Sequence, residues 1–242
     1  MRWSLTIPAI VLAVLFAGGC SKTTSPTAPT SAQSIPLPSP SMLGGATGAG
    51  STVAILSADA GRRMREALIS LDDHRYGSDS VTLDTITGLE WLDLTKSRGR
   101  SFNDIIGYDG SNEFAARGDF AGFRYATADE VRTLFVDAGI QSIDAVNKAI
   151  GYSDVAALQA LVGVTSIFSE PFDDGTSTFS IGFSATVSTP GGRQSPVLIL
   201  HDAGVNNPFS YGYAFINNNV NDGTAAPEYG SWLVRARGRA EH

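Results

Sequence analysis

Cysteine is almost absent from this chain: 242 residues contain one, Cys20. If that thiol is modified, nothing downstream can form a disulfide, a cysteine metal site or a cysteine nucleophile. Histidine is nearly as scarce, with only His74, His201 and His242, which argues against a histidine metal centre. Basic charge is outnumbered, 17 Lys and Arg against 24 Asp and Glu, for a formal charge of −7. That balance lacks the basic footprint of a nucleic-acid binder, and it gives no electrostatic grip on anionic membranes. Long apolar runs are missing too. The one exception, Leu5–Phe16, is shorter than the roughly 20 residues that cross a bilayer.

That run carries its own message. Arg2 precedes it and AGGC, Ala17–Cys20, follows it. A basic start, an apolar stretch and small residues before a cut read as a secretory signal peptide. Because the small residues end on the only cysteine, they resemble the lipobox of bacterial lipoproteins. Processing would cleave before Cys20 and attach lipid to its sulfur and new amino group. Several acyl chains anchor stably, since each buried methylene contributes about 0.8 kcal/mol. By resemblance to Gram-negative lipoproteins, Ser21 in place of an aspartate after the cysteine favours export to the outer membrane over retention at the inner one. At the outer membrane the chain would be lipid-anchored and periplasmic or surface-exposed.

Residues 21–50 hold five of the eleven prolines, and Lys22 is their only charge. Such a composition cannot bury enough apolar surface to offset its ordering entropy, so residues 20–60 read as a disordered Ser/Thr/Pro/Gly tether. Thirty flexible residues reach about 30 Å. Residues 1–19 are then the signal peptide and residues 67–237 the folded domain, with a short amphipathic segment expected over Ser57–Leu71.

Within the domain, VTLD (81–84) and LEWLDL (89–94) flank a TITG turn and predict a hairpin. Ser101 with Asp104, and Thr127 with Glu130, have the spacing of capping boxes. Helical periodicity runs through Val131, Leu134, Phe135 and Ala138 to Gly139. Two further helices are predicted, Ile143–Ile150 and Asp154–Val162, the second capped by Ser153. After Gly163 the texture turns to β-branched and aromatic runs, TFSIGFSATV, SPVLILHD, YGYAFI and SWLVRAR, separated by turn residues and an NNNVNDG loop. Hairpin, then helices, then sheet make an α+β domain.

Three islands in this order, TGLEWLDL (87–94), GFRYATADEVRTLF (122–135) and YGSWLVRAR (229–237), resemble the Lcl C-terminal domain family. The likeness is strongest to its relatives in exported bacterial proteins that carry a PEP-CTERM sorting tail. The resemblance implies a C-type-lectin-like fold whose N- and C-terminal strands pair, bringing Trp91 near Trp232. It also implies adhesion to sulfated or other polysaccharides. Phe123 and Tyr125 stand where the family often has Trp and Leu, and a lipobox replaces the sorting tail.

Several constellations invite a chemical reading. Glu90 and Asp93 flank Trp91, but strand alternation sends them to opposite faces, so bonds to backbone amides or arginines are expected instead of acid–base work. Arg124 and Glu130 suit a structural ion pair, with polyanion contact as the alternative. Calcium is the one cofactor the residues suggest: EPF (170–172) resembles a lectin sugar motif, and Asp173, Asp174, Asn217, Asn219, Asn221 and Asp222 offer hard oxygen ligands. Glycine does not fall at the EF-hand position. His201-Asp202 imitates half of a catalytic triad without a nucleophile elbow. The best recognition residues are Tyr211, Tyr213, Phe215, Tyr229 and Trp232, with Asn217, Asn219 and Asp222 nearby. By alternation Tyr211, Tyr213 and Phe215 share one face, and base rates favour that face as a wall of the core. The function expected is a non-catalytic binding or structural module, with glycan or matrix recognition foremost. An envelope-polysaccharide hydrolase using His201, or a purely architectural surface protein, is the alternative.

Overall fold

The computed structural model describes residues 67–108, 112–140, 143, 151–169, 175–203 and 210–238. Cys20, the tether, the segment 144–150 and the calcium candidates Glu170–Asp174 lie outside them. Among the described residues no helix is long and apolar enough to cross a membrane. Their architecture is mostly antiparallel sheet with three α-helices, which fits the α+β class.

The first sheet is built from β1 (Leu68–Asp73), β2 (Gly77–Asp84), β3 (Leu89–Leu92), β4 (Arg124–Tyr125) and β11 (Leu233–Ala236), in the order β1-β2-β3-β11-β4. The final strand therefore lies beside the hairpin, with Val234 opposite Trp91 and Arg235 opposite Glu90. Strand β1 takes up the end of the amphipathic segment expected over Ser57–Leu71: residues 68–71 pair antiparallel with Val81–Asp84. The alternation of Leu68 and Ser70 with Ile69 and Leu71 satisfies a sheet as well as a short helix, and the β2 partner decides it. The TITG turn is organised by buried Asp84, whose carboxylate accepts from the amides of Ile86 (2.9 Å) and Thr87 (3.3 Å) and from the Thr87 hydroxyl (2.6 Å).

The second sheet contains β5 (Ser166–Ser169), β6 (Thr176–Phe183), β7 (Val187–Thr189), β8 (Gly192–Asp202), β9 (Tyr211–Asn221) and β10 (Gly230–Ser231). β6 and β9 flank β8 antiparallel, and β10 joins β6 in parallel. Two single runs in the sequence are thereby split. TFSIGFSATV breaks after Phe183, and SWLVRAR divides at Trp232, where the chain crosses from one sheet to the other.

Helices connect the layers. α1 (Phe102–Ile106) and α2 (Ala128–Asp137) both begin with reciprocal capping boxes, at Ser101/Asp104 and Thr127/Glu130. α3 (Tyr152–Val162) starts two residues earlier than the Ser153 cap would place it, on Gly151 and without a side-chain cap. The reason is packing. A Cβ on Gly212 would stand 2.9 Å from both the Gly151 carbonyl and the Val155 side chain, so two glycines let α3 settle directly on β9. Ile143, the described remnant of the other predicted helix, makes a parallel bridge to Ala214.

Alternation in β3 and β11 divides the core. Trp91 and Val234 join a cluster with Phe135, Leu158, Leu198 and Trp232, whereas Leu92 and Leu233 join Phe102, Phe123, Tyr125 and Phe183. Both faces of the first sheet are thus buried. Trp91 and Trp232 meet edge to face at 6.3 Å, and the Trp232 indole donates to the Pro196 carbonyl at 3.0 Å. Gln159 of α3, fully buried, donates to the carbonyls of Thr178 and Leu198 and accepts from the Thr178 hydroxyl. The helix is thereby fixed to the middle of the second sheet.

A candidate recognition face on the second sheet

Strand β9 opens Tyr-Gly-Tyr-Ala-Phe, large and small residues in alternation. The small set, Gly212 and Ala214, faces α3 and the core. The large set, Tyr211, Tyr213 and Phe215, therefore lies on the opposite, outer face, and all three are half-buried. This corrects the expectation that the stripe is a wall of the core: the inner face is already filled by α3.

The rings are ordered. Tyr211 and Tyr213 have centroids 5.9 Å apart, Tyr213 and Phe215 5.8 Å, with interplanar angles of 26° and 25°. Near-parallel rings at such separations lean on one another in offset stacks. His201 extends the row, stacked on Tyr211 at 4.8 Å. The result is a ladder of three rings along β9, with the His201 imidazole of β8 stacked beside its first ring. Cross-strand register supplies its floor: Ile199 lies opposite Tyr213 and Val197 opposite Phe215, both buried. Beyond them β6 adds half-buried Phe179 and Ile181, and edge strand β5 adds exposed Phe168. Burial, and next the neighbouring Tyr211, push the Tyr213 phenol above its ordinary pKa. It is accordingly a neutral hydroxyl at physiological pH.

Of the six ligand candidates, four share this face: Tyr211, Tyr213, Phe215 and Asn217, the last opposite Ser195. Asn217 is half-buried and its amide makes no side-chain hydrogen bond among the described residues. The other two are turned elsewhere. Asn219 sits in a bulge at φ 83° and its carbonyl accepts from the Thr189 hydroxyl at 2.7 Å. Asp222 is held by the Arg193 guanidinium at 3.1 Å. The NNNVN segment is no loop but the continuation of β9. Its oxygens do not converge: Asn221 accepts from the Gly223 amide, and no group of three acidic, histidine or cysteine side chains is gathered among the described residues. Trp232 is buried core, and Tyr229 stacks on Phe183 at 5.5 Å, so neither belongs to the recognition face.

The remaining candidates are engaged in structure. Glu90 accepts from Arg235 at 2.7 Å, whereas Asp93 lies past the end of β3 and caps a 3₁₀ turn through the Thr95 amide. Arg124 forks onto Glu130 through bonds of 2.9 and 2.6 Å. That fork, against the opposing pull of burial, holds the Glu130 carboxyl down at about 2. His201 is buried beside Ser177, Nδ1 to Oγ 3.0 Å, a partner invisible in the sequence because it comes from the neighbouring strand. Asp202, its chain neighbour, turns the other way and accepts from Ser210. Comparison with known proteins adds nothing to this geometry: no family model, no curated protein and no solved structure matches the chain.

Proposed function

We propose that this chain is a non-catalytic glycan- or matrix-recognition module of the bacterial envelope, lipid-anchored through Cys20 at the outer membrane. One observation carries the recognition reading: an ordered aromatic ladder stands half-exposed on an outer sheet face, ending in the half-buried Asn217, whose amide makes no side-chain hydrogen bond among the described residues. Sugar rings present apolar C–H faces to aromatic side chains and hydroxyls to amides, so that combination suits them. The adjacency of β3 and β11 supports a C-type-lectin-like domain of the Lcl C-terminal kind, which rests otherwise on the three sequence islands. Glycan-array binding by the folded domain tests the reading. Tyr213→Ala should abolish the signal while circular dichroism stays unchanged, and binding that survives this change would sink the ladder as the site.

One contact favours a second reading. Ser177 and His201 are a hydroxyl–imidazole pair of the kind used in nucleophilic hydrolysis. Both side chains are buried, however, at 4% exposure, His201 is covered by the Tyr211 ring, and no acid orients the imidazole through the Ser177 contact. Turnover of envelope glycans that vanishes in Ser177→Ala and His201→Ala would replace the binding-only reading. For location, Cys20→Ser should release the protein from membranes into the soluble fraction; persistent attachment would remove the lipoprotein assignment.

A further inference from the structure

We infer that the ladder face takes an uncharged polysaccharide and discriminates against sulfated or otherwise anionic ones. This inference rests on the glycan reading above and narrows its ligand class. The outer face can be read strand by strand from the pairing register. β9 contributes Tyr211, Tyr213, Phe215 and Asn217, and β8 contributes His201, Ile199, Val197 and Ser195. β6 adds Ser177, Phe179 and Ile181, and β5 adds Phe168 and Ser166. Among these described residues there is no lysine, arginine, aspartate or glutamate.

The nearest cation along β8 does not compensate. Arg193 is bound to Asp222, donates to the Ala185 carbonyl at 2.8 Å and lies 3.9 Å over the Phe102 ring. His201 is committed to Ser177 and covered by Tyr211. A sulfate laid across the ladder would lose its hydration and meet no positive charge among the described residues of this face, and the chain as a whole carries −7. A neutral pyranose chain loses much less. Its C–H faces cover the rings, and the Asn217 amide and the Tyr213 hydroxyl can take up its hydroxyl groups.

The decisive experiment is affinity electrophoresis of the whole lipid-free chain in gels containing neutral polysaccharides, each beside its sulfated derivative. The panel would include β-glucan, galactomannan and xylan. Retardation is expected in at least one neutral gel and at least tenfold weaker in its sulfated partner. It should change less than about twofold between about 50 and 500 mM salt, because no ion pair is there to be screened. Tyr213→Ala should abolish it and Phe215→Ala should weaken it, each variant checked for native circular dichroism. Retardation confined to sulfated gels and lost at high salt would overturn the inference yet leave glycan recognition standing. No retardation in any gel would overturn both.

Discussion

Two tryptophans at the centre of the molecule have different obligations. The Trp232 indole N–H is satisfied by Pro196, but the Trp91 N–H is buried with no acceptor among the described residues. A buried donor without a partner costs about 1–3 kcal/mol, and a satisfied one contributes about 1. Replacement by phenylalanine removes a donor at either position but leaves an orphaned acceptor only in the second case. Urea unfolding should therefore find Trp91→Phe less destabilising than Trp232→Phe by about 1 kcal/mol. Equal losses would mean that Trp91 has a partner after all. Trp91 and Trp232 are two of the three tryptophans in the chain. Which of them is bonded depends on a carbonyl 36 residues away from one of them, and no local pattern contains that information.

At the scale of elements, α2 begins well and ends badly. Its first turn has a full capping box, and Glu130 meets the positive helix end. Its last residue, Asp137, sits at the negative end beside the buried carboxylate of Asp84. Burial first, and then the charge of Asp84 and a hydrogen bond to it, raise the Asp137 carboxyl to about 6. A carboxyl raised on folding takes up a proton as the chain folds, so its ionisation opposes the native state. Stability should therefore fall as pH rises from about 4 to about 6, by an amount on the order of 1 kcal/mol after allowance for partial exposure. Glu130 has the opposite sign, contributing above the ordinary carboxylate range and losing that contribution only as pH falls towards about 2. Asp137→Asn keeps the hydrogen bond and removes the charge. It should raise stability at pH 7 and flatten the slope between pH 4 and 6 in denaturant titrations; an unchanged slope would exclude the Asp84–Asp137 pair as its source. The cap of α2 was legible in the sequence because capping is local. The misplaced start of α3 was not, because it is set by the contact of Gly151 and Gly212, 61 positions apart.

Across the whole molecule, closure of the first sheet depends on Arg235. Its guanidinium reaches Asp73 at the end of β1 (2.8 Å) and Glu90 in β3 (2.7 Å), and it stands 4.5 Å over the Phe123 ring. Burial pushes the Asp73 carboxyl up, but the Arg75 amide and Arg235 outweigh it and hold the group below its ordinary range. Its stabilisation is thus present above the unfolded carboxylate pKa and lost as pH falls through the folded one. Removal of the shared cation strands two buried carboxylates. Arg235→Ala should cost about 3 kcal/mol, and Arg235→Lys should recover only part of it, since a point charge cannot fork to two partners. Thermal unfolding that leaves Arg235→Ala within about 0.5 kcal/mol of wild type would show the network to be superficial.

The sequence alone determined the features that need only neighbours along the chain: two capping boxes, the TITG hairpin, the α+β texture, and the alternation that places Tyr211, Tyr213 and Phe215 on one strand face. It also separated Glu90 from Asp93, although Asp93 proved to lie beyond the strand. The tertiary structure decided which way the aromatic face points, because inner and outer faces of a strand are equivalent until a helix covers one of them. It also decided that Asn217 joins the ladder while Asn219 and Asp222 leave it, through a single bulge and one arginine. Ser177, Phe179 and Ile199 complete that face through strand register, which is set by partners tens of residues away and is written in no short segment.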